Sequence, residues 1–345
     1  MIRSIALSLV LVFISLGIEG SLFEAAADTR SVYTITDIEI DESASSVIEA
    51  RQKAMSAARL KGARELINKI TLRDDRAAAG GVPINYALAE RLAAAVDVQE
   101  ETAGAGRYRG TLSVVLNPVA VRAHLKSLSV PYVDTQGPMS LLVPLASRDF
   151  QFAWRDALGD GDRYGLSPYI TADGQTYTAE TTWDELSRDA LGSQARRGIL
   201  AELSGRSGAY RVTLSTVTAS GRETIGTTGT VATLDEARAA ISGYLGEVWK
   251  NRSIVRGTTR TLQSATVLYV SLSEWNTLRS ALARSPQVSD FKISAIARDG
   301  AMVTFAFAGE RDRLQRDLRQ RGVSFSQEGQ QWVLRSALTA PVSTY

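Results

Sequence analysis

Side chains able to do chemistry are few in this chain and far apart. It has one histidine, His124, and no cysteine. A histidine can act as general base between a serine and an aspartate. His124, however, precedes apolar Leu125 on a helix starting at Pro118 and has no neighbouring nucleophile motif. It reads as an ordinary surface or boundary residue. One imidazole without thiolates cannot build a histidine-rich zinc site, and thiol redox chemistry and cysteine nucleophiles are excluded outright.

Three further patterns meet a spacing but not its context. Ser289-Asp290-Phe291-Lys292 has the S-x-x-K spacing of serine acylases, which requires a helix so that Ser and Lys share a face. The surrounding alternation indicates a strand, and the companion S-D-N and K-T-G motifs are missing. Asp160-Gly161-Asp162-Arg163-Tyr164-Gly165 opens like a calcium loop, yet Tyr164 and Thr171 cannot supply the carboxylates that calcium requires at their positions, so a polar turn is expected. Trp154, Trp183, Trp249, Trp275 and Trp332 could stack on a sugar or peptide, but they coincide with apolar periodicity and read as core. No phosphate-binding loop, dinucleotide fingerprint or nucleophile elbow occurs. The sequence therefore nominates no catalytic, cofactor-binding or metal-ligating residue, and no cofactor. A ligand-binding or hydrolytic alternative would need a cleft between the first two domains, with Asp160 or Asp162 facing Asp184 or Glu185.

The elements that would carry any site follow from periodicity. A strand over Val32–Ile40 precedes a long Ala-rich helix, with Asp41, Ser43 and Ser45 as available caps. Its face is Ala54, Ala58, Ala63, Leu66, Ile67 and Ile70, small enough to let the helix lie close to a sheet. A loop at Gly80–Pro83, strands at 94–98 and 108–116 joined by Gly104-Ala105-Gly106, and a helix with Val121 and Leu125 complete a first unit, residues 28–130. A middle α/β unit, 139–256, opens with the strand Leu141–Leu145. It continues with a helix near Phe152 and Trp154, a longer helix from Thr182 to Leu203, a hairpin about Ser220-Gly221, and a helix capped by Thr233 and Glu236. After a polar linker at Gly257–Arg260 comes a third unit, 265–336. Its strand, helix with cap Ser273, two strands about Asp299-Gly300, helix ending at Gly322 and short final strand pair read as βαββαβ, the ferredoxin-like split βαβ. Residues 337–345 are a tail. The fold class is α+β, in several small sheet-plus-helix modules. In the basic stretch Glu310–Arg321, Asp312 with Arg316 and Asp317 with Arg321 are i,i+4 pairs of the kind found on a solvated helix face. Attachment to an anionic membrane surface through these arginines is the weaker alternative.

Compositional evidence points to export. Arg3 precedes an uncharged apolar run to Ile18, too short for a comfortable membrane span, and Ala25-Ala26-Ala27 offers a signal-peptidase site with cleavage after Ala27. The expected localisation is periplasmic, with no integral membrane span after cleavage and no lipidated cysteine. Removing residues 1–27 changes the formal net charge from +2 to +3, and acids alternate with bases along the chain, so nucleic acid is not an expected partner. Hydrophobic residues make up 44% of the chain, enough to bury a core.

Three stretches carry a family resemblance. They are Ala50-Arg51-Gln52-Lys53-Ala54-Met55 with Gly62-Ala63-Arg64-Glu65-Leu66-Ile67; Tyr210-Arg211-Val212 with Thr233-Leu234-Asp235-Glu236-Ala237; and Trp275-Asn276-Thr277-Leu278 with Val288, Gly309, Leu314, Leu318 and Gly322. Together they resemble the uncharacterised bacterial envelope proteins of domain-of-unknown-function family 2066. The first unit is also similar to small domains of flagellar-assembly and curli-secretion accessory proteins. These resemblances imply periplasmic assembly or interaction work without known catalytic residues. The expectation is a non-catalytic envelope-assembly or protein-interaction factor whose partner is an envelope or periplasmic protein, bound at exposed sheet faces or edges.

Overall fold

The computed structural model describes residues 30–173, 177–254 and 260–337. The expected signal segment 1–27, residues 257–259 of the expected linker and the tail from 338 lie outside them; Arg260, expected in the linker, instead opens the first strand of the third unit, which so begins before residue 265. Among the described residues, no helix is long and apolar enough to cross a membrane. The architecture is α+β, built on three separate sheets.

The first sheet has the order β1-β3-β2, from β1 (Thr34–Ser43), β2 (Ala93–Gly104) and β3 (Arg107–Leu116). All pairings are antiparallel. Ala105 and Gly106, at φ 47° and 73°, form the tight turn between β2 and β3 that left-handed residues favour. Helix α1 (Val47–Ile70) lies across one face of this sheet. Its cap is Ser46, which accepts from the Glu49 amide, while Ser45 bonds the Glu49 carboxylate. The cap thus falls one residue beyond the expected candidates, because β1 runs on to Ser43. The expected small-residue face is buried throughout, with Ala54, Ala58 and Leu66 at 0% exposure. Gly62 sets the closeness of approach: a Cβ there would stand 2.9 Å from Val114 Cβ. Two short helices, α2 (Arg73–Ala78) and α3 (Tyr86–Leu92), flank the Gly80-Gly81 turn, and α4 (Pro118–Ser127) buries Val121 and Leu125.

The middle sheet has the order β5-β6-β4-β7-β8-β9, where β4 is Ser140–Leu145, β5 Gly161–Asp162, β6 Tyr169–Thr171, β7 Gly198–Arg206, β8 Ala209–Thr218 and β9 Gly221–Thr227. Strand β4 is parallel to both β6 and β7, and every one of its residues is buried. Helices α5 (Gln151–Leu158) and α7 (Leu234–Ser253) cover one face through Trp154 and Ile241, and α6 (Trp183–Gly192) covers the other through Leu186. The expected helix from Thr182 to Leu203 therefore stops at Gly192, and its second half is β7. Ile199 packs to one face and Leu200 to the other. A strand buried on both faces shows an unbroken apolar run and no period of two, so periodicity cannot tell it from a buried helix. Gln194, at φ 58°, turns the chain between them. The Thr233–Glu236 capping box stands as expected.

The third sheet has the order β11-β12-β10-β14-β13, from β10 (Arg260–Leu268), β11 (Val288–Ile296), β12 (Gly300–Ala308), β13 (Val323–Glu328) and β14 (Gln331–Ser336). Helices α8 (Leu272–Ala283) and α9 (Arg311–Gln320) pack on one face through Trp275, Leu278, Leu314 and Leu318. The topology is βαββαββ, not the plain split βαβ. Strand β14 turns back from β13 and inserts beside β10 in parallel, pushing β13 to the edge. The α8 cap is Ser271, not Ser273, because its hydroxyl reaches the Glu274 amide.

One seam joins the three units. Trp249, near the end of α7, sits in the core of the first unit and donates through Nε1 to the Thr135 carbonyl at 2.8 Å. Beside it, Lys250 Nζ donates to the carbonyls of Asn68 (3.0 Å) and Thr71 (2.9 Å), placing a cation at the negative end of α1. From the third unit, Arg321 stacks over the Trp249 ring at 5.5 Å and pairs with Asp317, both side chains being under 10% exposed. Arg313 donates to the Arg252 and Ile254 carbonyls at the end of α7. The Asp317–Arg321 pair thus faces inward, correcting its reading as part of a solvated face. Two of the arginines that would have met a membrane bind protein instead.

Candidate functional site

None of the chemical motifs assembles into a reacting centre. His124 is half-buried, and burial followed by the nearby Arg91 charge lowers its pKa, favouring a neutral imidazole. Its Nε2 has no hydrogen-bond partner. A bulge at Asp290 (φ 53°) places Ser289 opposite Ala306 and Lys292 opposite Thr304, on the same face of the strand. The Ser289 hydroxyl, however, accepts from Arg260 and faces Asp290 at 3.3 Å, so no amine is poised to take its proton. Trp154, Trp249 and Trp275 are core residues, and Trp183 and Trp332 pack against cores from their margins.

The four acids of the cleft alternative serve local structure. Asp162 Oδ1 accepts from the amides of Tyr164 (3.0 Å) and Gly165 (2.7 Å), closing the polar turn. Glu185 closes the capping box of α6 with Thr182, and Asp184 lies in the same first turn. Asp160 uses its backbone carbonyl to accept from Thr171. Between the first two units, Trp249, Lys250, Leu166 and Ile254 fill the seam. No group of three or more His, Cys, Asp and Glu side chains able to hold a metal occurs among the described residues.

What the fold leaves open is sheet surface. In the first sheet, Tyr108, Leu112 and Val114 face α1, so Arg107, Arg109 and Thr111 face away from it. Register brings Asp41 and Thr102 opposite Arg109, and Glu39 and Glu100 opposite Thr111. These residues, with the β1–β3–β2 backbone, line a shallow groove of about 580 Å³. Arg107 clamps Asp41 through Nε at 2.7 Å, and Arg109 stands 3.5 Å from the same carboxylate. The bond from Arg107 holds the Asp41 carboxyl below the usual range. Glu39 and Glu100 have no ion-pair partner among the described residues, which leaves the groove with surplus negative charge. Gly110 lets the strands close here, since a Cβ would lie 2.6 Å from the Glu100 carbonyl oxygen.

The third sheet offers a different surface. Opposite its helices lie Leu262 (72% exposed), Met302 (53%) and Leu268 (39%), interleaved with Ser264, Thr266 and Thr304. The sequence signals this open face, because a sheet with helices on one side must expose the other. Apart from Asp41, expected as a helix cap, the groove residues of the first sheet were not singled out from sequence. The alternation of Arg107, Arg109 and Thr111 with Tyr108, Gly110 and Leu112 was the available signal.

No family model matches the chain, and no curated protein matches it. Among solved structures, the crystal structure of TolB from Acinetobacter baumannii is similar over 39% of this chain and 32% of that one, at 11% identity and a TM-score of 0.22. A likeness of that extent does not define a shared fold.

Proposed function

We propose that this chain is a non-catalytic protein-interaction or assembly factor of the bacterial cell envelope, exported to the periplasm by cleavage after Ala27, and a relative of domain-of-unknown-function family 2066. The export reading rests on the apolar run behind Arg3 and on Ala25-Ala26-Ala27. The observation that carries the interaction reading is the first sheet, covered by helix on one face and bearing an acidic groove on the other. The occupant of that groove is an envelope protein presenting an extended segment with Lys or Arg, which complements Glu39 and Glu100.

The test is site-specific photo-crosslinking in cells, with the probe at Thr102 in the groove or at exposed Lys126 on α4 as control. The expected result is one envelope protein captured from Thr102 and not from Lys126, with capture abolished by Glu39→Lys plus Glu100→Lys. Capture that is equal at both positions, or indifferent to charge reversal, would sink the reading.

A further inference from the structure

The third sheet packs both its helices on one face and leaves the other bare, and the composition of that bare face is selective. Along the central strand β10 the residues turned away from the helices are Leu262, Ser264, Thr266 and Leu268, with Met302 and Thr304 beside them on β12. None of these six is charged, and Leu262 and Met302 are 72% and 53% exposed. Apolar side chains grouped on a surface and rimmed by polar ones mark an interaction site, and the centre of a protein interface is depleted of charge. The charges of this face lie at its rim. Lys292 stands on the edge strand β11 and Glu328 on the opposite edge strand β13, while Arg260 reaches across β12 to the Ser289 hydroxyl and Arg335 reaches Glu328.

Register fixes how the rim charges are placed. Lys292 is opposite Thr304, Thr304 opposite Ser264, and Glu328 opposite Gln331. Because Thr266 lies beside Val333 in the parallel pair of β10 and β14, Ser264 is level with Gln331, two residues earlier on each strand. One cross-strand row therefore carries Lys292 at one edge, Ser264 at its midpoint and Glu328 at the other edge. A two-fold axis running along β10, in the plane between two stacked sheets, exchanges the edges. It sets Lys292 of each copy opposite Glu328 of the other, whose carboxylate is still 45% exposed beside Arg335. Arg260 leans off this axis toward β11, so the two copies' guanidiniums diverge. The face spans three strands of nine residues and two of six, a footprint of about 640 Å² at about 3.4 Å per residue and about 4.8 Å per strand. Stacking two copies buries about 1,300 Å², within the range of about 1,200–2,000 Å² found in specific, stable complexes.

We propose that the chain forms a homodimer through the open face of the third sheet, a second copy stacking on it about a two-fold axis parallel to β10. The two sheets make a sandwich with Leu262, Leu268 and Met302 at its core and a Lys292–Glu328 pair on each rim. The dimer does not depend on the docking groove, which lies on the first sheet. With that groove free in both copies, each dimer presents two of them to a partner.

The test is sedimentation velocity of the full mature chain and of the variants Met302→Glu, Lys292→Glu and Glu328→Lys. The expected result is a wild-type dimer at about 10 µM and only monomer in Met302→Glu at that concentration. Each charge variant alone should dimerise about tenfold more weakly, because symmetry turns both rim pairs into like-charge contacts. Mixing Lys292→Glu with Glu328→Lys should restore the wild-type affinity, since the mixed dimer regains two opposite-charge pairs. Met302 is exposed, so the circular dichroism of Met302→Glu should match the wild type, and Val119→Glu, at a 74% exposed position on α4, should leave the dimer intact. A monomeric wild-type chain overturns the proposal, as does a dimer indifferent to Met302→Glu or a mixture that associates no more tightly than its components. Capture of a different envelope protein by a photo-crosslinking probe at Thr266, with no crosslinked pair of chains, also overturns it and gives the face to that partner. A monomer that still captures its partner from Thr102 refutes the dimer and leaves the groove reading standing.

Discussion

Replacing Gly62 by alanine sets helix propensity against packing at one position. Gly62 lies in the body of α1, where alanine is intrinsically better than glycine by about 1 kcal/mol. The added methyl would meet Val114 Cβ at 2.9 Å, Ile38 Cδ1 at 3.1 Å and Val114 Cγ1 at 3.3 Å. Carbon pairs prefer about 3.5–4.0 Å. Val114 is on the central strand and wholly buried, so the nearest contact cannot yield by rotating a flexible chain end. Relief requires α1 to lift off the sheet, loosening Ala58, Ala63 and Leu66 on either side. Overpacking of this kind costs about 1–3 kcal/mol, and the upper part of that range applies because both partners are β-carbons of packed elements. The net expectation is a loss of about 1–2 kcal/mol. Gly243→Ala in α7 is the matched control, because nothing lies within 4 Å of its new methyl and the site is exposed. There the change should stabilise by about 0.5–1 kcal/mol. Guanidinium unfolding followed by circular dichroism reads both as shifts of the midpoint. The reasoning fails if Gly62→Ala unfolds at or above the wild-type midpoint, or if the two variants move in the same direction.

Other perturbations probe the seam and its surroundings. Lys250→Ala takes its buried donor from the Asn68 carbonyl and leaves the Thr71 carbonyl to Arg76 alone; it should cost about 1–3 kcal/mol, with faster proteolysis of the 131–138 connection. Burial holds the Lys69 amine at about 8, below its ordinary value, so the unfolded chain binds more protons above pH 8. Wild-type stability should therefore rise from pH 8 toward 10.5, by at most about 1.4 kcal/mol per pH unit, whereas Lys69→Met lacks this rise. Parallel slopes for the two proteins between pH 8 and 9.5 would contradict the assignment. Thr233→Ala removes the acceptor of the Glu236 amide and should cost about 1 kcal/mol by the same midpoint measurement.

Much of the fold was legible along the chain. The Ala-rich face of α1, the Thr233 capping box, the Asp299-Gly300 turn and the helices on one side of the third sheet are local patterns, each spelled by residues a few positions apart. Strand β7 was not legible, because its residues face two cores that only the assembled sheet creates. Caps at Ser46 and Ser271 were displaced by a residue or two, since several serines were available and the end of the preceding strand chose among them. The docking groove was legible only in part: alternation marks which side chains leave the helix-facing side, but their grouping depends on cross-strand register.

What the sequence by itself determined is therefore the α+β class, the amphipathic faces and the lack of thiol and multi-histidine chemistry, because composition and local periodicity act over short distances. Tertiary structure alone decided that Asp317 and Arg321 turn inward, that Lys250 caps a helix some 180 residues away in the chain, and that Arg197 meets the hydroxyls of Ser140 and Ser167. Electrostatic partners are set by distance through space, and a buried charge is neutralised, or left unneutralised, by whatever the packing brings beside it.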